Sequence, residues 1–202
     1  MRVFLPVSLA IVVSGCGSKM PVPPDLQSHA MELSVSGPPT SLSAGPFAVR
    51  AFRDVSEQEA SSVLGPAKAK ADRTFAFELA QGGEALRKVA CRGYKRPASA
   101  IGDTADEGGL SCAVGTAGGN AFGRLTLVNG SRGQLRLGSD SYTLSAEGAG
   151  TVVRKETTTT AAWQYSSPRT AWLPANADRE LQASMVSAMA AMVVYRDLIA
   201  AP

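Results

Sequence analysis

Apolar and polar positions alternate along most of the chain after residue 31. In "TFAFELA", Phe75, Phe77 and Leu79 are separated by polar or small neighbours. Leu125 and Leu127 repeat the pattern in "GRLTLVN", Leu135 and Leu137 in "GQLRLG", and Tyr142 and Leu144 in "SYTLSAEG". A period of two predicts half-buried strands. Asn129-Gly130, Gly138-Ser139-Asp140 and Gly148-Ala149-Gly150 lie between these runs and suit tight turns, where positive φ angles cost little. Runs joined this closely predict an antiparallel meander. Further strands are expected at 32–36, 47–52, 86–91, 110–114, 151–157, 163–165 and 169–173. "SEQEASSVLGP" predicts one short helix, with Ser56 and Glu59 at capping-box spacing and Gly65-Pro66 as a stop. Many short strands in series favour a closed barrel or a sandwich, since closure removes exposed edges. "TTTT" at 157–160 is β-prone and needs no functional explanation.

The C-terminal segment breaks the period. "NADRELQASMVSAMAAMVVYRDLIA" has Asn176 and Asp178 as capping candidates, Glu180 in the first turn, and no glycine or proline before Pro202. It predicts a helix over 177–199. No charge occurs between Leu181 and Tyr195, and apolar side chains lie on every side. A surface helix would show a polar face, so this one is expected to be enclosed by strands. Its charge-free part is shorter than a bilayer span and contains Gln182, Ser184 and Ser187. Packing in a groove between sheet and helix, or insertion into a membrane, are the alternatives. The fold class is therefore mainly β: an antiparallel meander closing into a barrel, with one hydrophobic helix packed in or against it. About 170 residues, 31–202, suffice for one such domain.

A meander ended by a hydrophobic C-terminal helix resembles the tubby-like superfamily, which includes tubby, the phospholipid scramblases and the LURP-one-related proteins. The run "DRELQASMVSAMAAMVVYRDLI" carries the resemblance. It implies a twelve-stranded barrel around the last helix and a lipid-handling role. No position matches a phosphoinositide-binding site, so no binding residue is carried over.

The first residues have a different logic. Arg2 precedes a mostly apolar run, 3–13, which is too short to span a bilayer. It ends in Val13-Ser14-Gly15-Cys16. Charge, apolar run and small residues in that order form a secretory signal. The VSGC ending resembles the lipobox of bacterial lipoproteins, which implies removal of residues 1–15 and a diacylglycerol on the Cys16 thiol. An ordinary signal peptide with an incidental cysteine is the alternative. Several acyl chains would anchor the protein permanently, where one would hold only marginally. Gly17 stands where the enteric family places an inner-membrane-retaining Asp. The expected location is therefore the bacterial cell envelope, at the outer membrane facing the periplasm or the cell surface. Residues 16–30 are polar and proline-rich and read as a semi-rigid tether.

With Cys16 assigned to lipid, two of the three cysteines remain, Cys91 and Cys112. An exported protein meets oxidising conditions, so they are expected to form a disulfide closing a loop of about twenty residues, contributing about 3 kcal/mol. Two buried thiols are the alternative. The net charge is +3, without a concentrated basic run, which argues against a nucleic-acid partner.

Catalytic signals are sparse. His29 is the only histidine and falls in the tether, so histidine triads and metal cages lack their main component. Asp103, Asp106 and Glu107 lack EF-hand spacing and read as a solvated loop. Arg92, Lys95 and Arg96 cluster around Tyr94 and read as exposed loop charges, with lipid phosphate as the alternative. Trp163, Tyr165 and Trp172 flank "SSPR". Buried, they are core; exposed, they would form a ligand-stacking platform. No cofactor and no metal is expected. The function expected is a non-catalytic binding or structural role for a lipid-anchored barrel, whose partners are the membrane and a lipid or envelope protein. Tubby-like lipid handling is the alternative, followed by a carboxylate-based enzyme.

Overall fold

A computed structural model of the protein describes residues 20–67, 70–94, 109–128 and 132–200. The expected runs, with one further short strand, become twelve strands. In chain order they are β1 (Ala30–Ser36), β2 (Ser43–Ala44), β3 (Phe47–Asp54), β4 (Arg73–Gln81), β5 (Glu84–Gly93) and β6 (Gly109–Thr116). They continue as β7 (Ala121–Val128), β8 (Arg132–Leu137), β9 (Asp140–Glu147), β10 (Gly150–Lys155), β11 (Thr158–Gln164) and β12 (Thr170–Pro174). Each pairs antiparallel with the next, and β1 also pairs with β12, closing a barrel without a free edge.

Inward positions of each strand form one core. Phe75, Phe77 and Leu79 of β4, Leu125 and Leu127 of β7, Leu135 of β8, and Tyr142 and Leu144 of β9 all point into it. The final helix, α2 (Arg179–Leu198), occupies the lumen. Thirteen consecutive residues, 183–195, are buried, so no side of the helix meets solvent there. That rules out packing in a groove between sheet and helix. No helix among the described residues is long and apolar enough to cross a membrane. Of the two capping candidates, Asp178 caps α2, its carboxylate accepting from the Leu181 N–H at 2.7 Å.

The short helix expected after residue 55 forms as α1 (Glu57–Leu64) on the outer wall. Ser56 accepts from the Glu59 N–H, and Gly65 ends the helix at φ 82°. Ala60 and Leu64 pack on Ala113 of β6.

Three expectations differ from the structure. The strand predicted at 151–157 stops at Lys155, because Glu156 adopts φ 55° and turns the chain into β11. Thr158, Thr159 and Thr160 then belong to β11, which starts at Thr158 rather than 163. Residues 161–164 are buried on both faces, so no alternation marked this strand. The two-residue β2 was missed because it is too short to show a period.

The proline-rich stretch expected as part of a tether is, from Met20 onward, laid against the barrel. Met20 and Leu26 are buried with Val152, Ala162 and Trp172, on the outer face of β10, β11 and β12. The Asp25 carboxylate accepts from the Thr159 N–H at 3.1 Å. Apolar side chains at residues 20, 22 and 26 cover an apolar wall, and burial outweighs the preference of the prolines for an extended free chain. This segment runs outside the barrel from the rim where α2 ends, the exit rim, to the rim where α2 begins, the entry rim.

Candidate functional site

Because α2 fills the lumen, the places where this barrel can meet another molecule are its rims and outer wall. At the entry rim, Arg87 of β5 lies only 3% exposed beside the helix start. Its Nε donates to Ser184 Oγ (3.1 Å), Nη1 to the Leu86 carbonyl (2.8 Å) and Nη2 to the Glu180 carbonyl (2.8 Å). Nη2 also pairs with the Glu180 carboxylate at 2.5 Å, and the guanidinium stacks 4.9 Å from the Phe122 ring. A planar fork with several donors suits this job, since it ties the wall to the helix in two directions. A cavity of about 370 Å³ opens beside it, lined by Phe122, Asp140, Tyr142, Asp178 and Glu180. Lys155 holds the Asp140 carboxyl below its usual range by a hydrogen bond, while burial and then the Asp140 charge push the Tyr142 hydroxyl up.

At the exit rim, the Arg169 guanidinium pairs with Asp197 at 2.5 Å and Arg196 stacks 4.0 Å over the Tyr165 ring. The Tyr195 hydroxyl donates to the Tyr94 carbonyl at 3.1 Å. Ile199 lies where Gly93 leaves room, since a Cβ there would stand 2.2 Å from its Cδ1. A cavity of about 520 Å³ lies between the turn after β1 and the turn before β12.

A third recess, of about 230 Å³, runs along α1. Ala51, Ala76, Ala90 and Ala113 line it, with the ion pairs Arg53–Glu59 and Lys88–Glu78 at its borders. The Arg53 hydrogen bond holds the Glu59 carboxyl below its usual range. Arg92 and Arg124 fasten α1: Arg92 binds Ser61 Oγ and Glu57, and Arg124 binds the Leu64 carbonyl.

The predicted residues fall into distinct places. Cys91 and Cys112 stand directly opposite each other on β5 and β6 and are joined, with an S–S distance of 2.10 Å. Trp163 faces the lumen and its Nε1 donates to the Tyr165 hydroxyl at 2.8 Å, which Thr151 Oγ1 also meets at 3.0 Å. Trp172 points to the other side of the wall, under Met20 and Leu26. The three aromatics thus form no common exposed platform, and burial raises the Tyr165 hydroxyl above its ordinary value. Arg92 corrects the reading of an exposed basic cluster: it is 4% exposed and paired with α1. Cys16, Lys95, Arg96, Asp103, Asp106 and Glu107 lie outside the described residues. Among the described residues, no group of three His, Cys, Asp or Glu side chains could hold a metal ion.

Sequence reasoning missed Arg87, Gln164 and the docked N-terminal segment. Arg87 and Gln164 are polar residues within strands, and a strand pattern does not say which polar side chain will be buried. The apolar residues of the segment, Met20, Val22 and Leu26, were a visible signal.

The chain matches no family model, no curated protein and no solved structure.

Proposed function

We propose that this protein is a lipid-anchored lipoprotein of the bacterial cell envelope, held by a diacylglycerol on Cys16, whose barrel is a non-catalytic binding module. The observation that carries the binding half is the filled lumen: α2 is buried over residues 183–195, and the recesses of 230–520 Å³ lie on rims and wall. A partner would therefore engage the outside, at a rim or along α1. The lipobox ending at Cys16 carries the anchoring half. The test replaces Cys16 by Ser in the full precursor. The expected outcome is loss of radiolabelled palmitate and release from the membrane fraction, while the barrel still folds. Retained palmitate on that variant would refute the anchor.

Tubby-like lipid handling is the second reading. It is supported by the twelve-stranded barrel around a C-terminal helix, the architecture that the resemblance implies. A form starting at Gly17 separates the two. Retention on liposomes without the anchor favours lipid handling; elution in the void-free fraction favours a protein or other envelope partner.

A further inference from the structure

We infer that the lipidated protein stands on the bilayer by its exit rim, with the Arg87 mouth turned away from the membrane; this rests on lipidation of Cys16. The ground for it is where the docked N-terminal segment stops. The Met20 N–H donates to Gln164 Oε1 at 2.7 Å. The same amide donates through Nε2 to the carbonyls of Ser166 (3.2 Å) and Pro168 (3.0 Å), in the turn between β11 and β12. Met20 also lies on Gly150, the first residue of β10, where a Cβ would approach its Sδ to 2.3 Å. Gln164 is 5% exposed, so this clasp is sheltered from water.

Gln164, Gly150 and the 166–168 turn all belong to the exit rim, with Arg169 and Asp197. Four peptide units separate Cys16 from Met20, a reach of at most about 14 Å. The twenty residues of α2 run about 30 Å from one rim to the other. Acyl chains on Cys16 therefore meet the membrane beside the exit rim, and a barrel standing on that rim holds its entry rim about 30 Å from the bilayer while Met20 is clasped. The chemistry of this rim suits phospholipid headgroups. Arg196 and Arg132 are exposed there, and so is Leu198, one of two large apolar side chains exposed among the described residues. The bilayer then holds one end of the barrel and leaves the opposite mouth and the α1 groove open to a partner.

The test uses full-length lipidated protein in vesicles of phosphatidylethanolamine and phosphatidylglycerol carrying a headgroup quencher. Ser167→Cys places a fluorophore on the exit rim, and Ser139→Cys places one on the entry rim. With Cys91 and Cys112 bonded and Cys16 acylated, each variant has one free thiol. Quenching is expected at position 167 and none at position 139. Equal quenching at both, or stronger quenching at 139, overturns the inference. Leu26→Asp should release the segment and abolish the difference between the two labels; a difference that persists shows that Met20 does not set the orientation. Mass spectrometry of Cys16 separates the two levels. A missing acyl mass brings down the anchor and the inference together, whereas an acyl mass with equal quenching brings down the inference alone.

Discussion

Ser187 sits in the middle of α2, fully buried, with no hydrogen-bond partner for its hydroxyl. A buried hydroxyl without a partner keeps its desolvation cost and returns nothing. Ser187→Ala should therefore raise stability by about 1 kcal/mol, seen as a higher urea midpoint at unchanged slope; a lower midpoint would reveal a partner for the hydroxyl. Ser184, one turn earlier, is the opposite case, since its Oγ accepts from Arg87 and donates to the Glu180 carbonyl. Gly150 is constrained from both sides: a Cβ there would stand 2.2 Å from the Trp163 carbonyl oxygen as well as against Met20. The backbone atom cannot rotate away, so Gly150→Ala should destabilise by about 1–3 kcal/mol and make the bond before Met20 more sensitive to limited proteolysis.

Among elements, the β5–β6 pair and α1 carry distinct controls. The Cys91–Cys112 bond joins residues 21 apart and limits the unfolded chain. Reduction should lower unfolding free energy by about 3 kcal/mol, measured as denaturant midpoints with and without reductant. In α1, the exposed Arg53–Glu59 pair adds a small, screened contribution. The Glu59 carboxyl is held below its usual range by Arg53, so its contribution is present above the unfolded carboxylate value and is lost as pH falls through the lower folded one. Protection factors in α1, referred to the intrinsic exchange rate at each pH, should fall below about pH 4 before those of the barrel strands; a simultaneous fall would mean that α1 is not a separate unit. Both partners are exposed, so added salt should reproduce part of the effect.

For the whole molecule, the tyrosines report on the integrity of the barrel. Burial raises the hydroxyls of Tyr142, Tyr165 and Tyr195. The folded state then holds these protons more tightly than the unfolded state does. Stability from this source is complete below the ordinary tyrosine value of about 10 and declines as pH rises above it. Absorbance at 295 nm should show these tyrosines ionising late and together with unfolding. An ordinary titration with the fold intact would show that the interior is open to water. The same enclosure leaves the rims and the wall along α1 as the surfaces open to another molecule.

The sequence by itself determined the period-two wall, the capped α1 and the enclosed final helix. Each follows from local rules: Phe75, Phe77 and Leu79 must share a face, Ser56 can satisfy an orphan N–H, and a helix without a polar face needs neighbours all round. The pairing of Cys91 with Cys112 was expected from an oxidising compartment, but only the β5–β6 register brings the two within bonding reach. Only the tertiary structure decided which polar groups are buried. Arg87 and Gln164 look like ordinary strand residues and Arg92 like an exposed loop charge, and their roles depend on partners 31 to 144 positions away. The docking of Met20 and Leu26 was decided there too, because a proline-rich segment with scattered apolar residues has no periodicity to read, and only the closed wall supplies the surface that it covers.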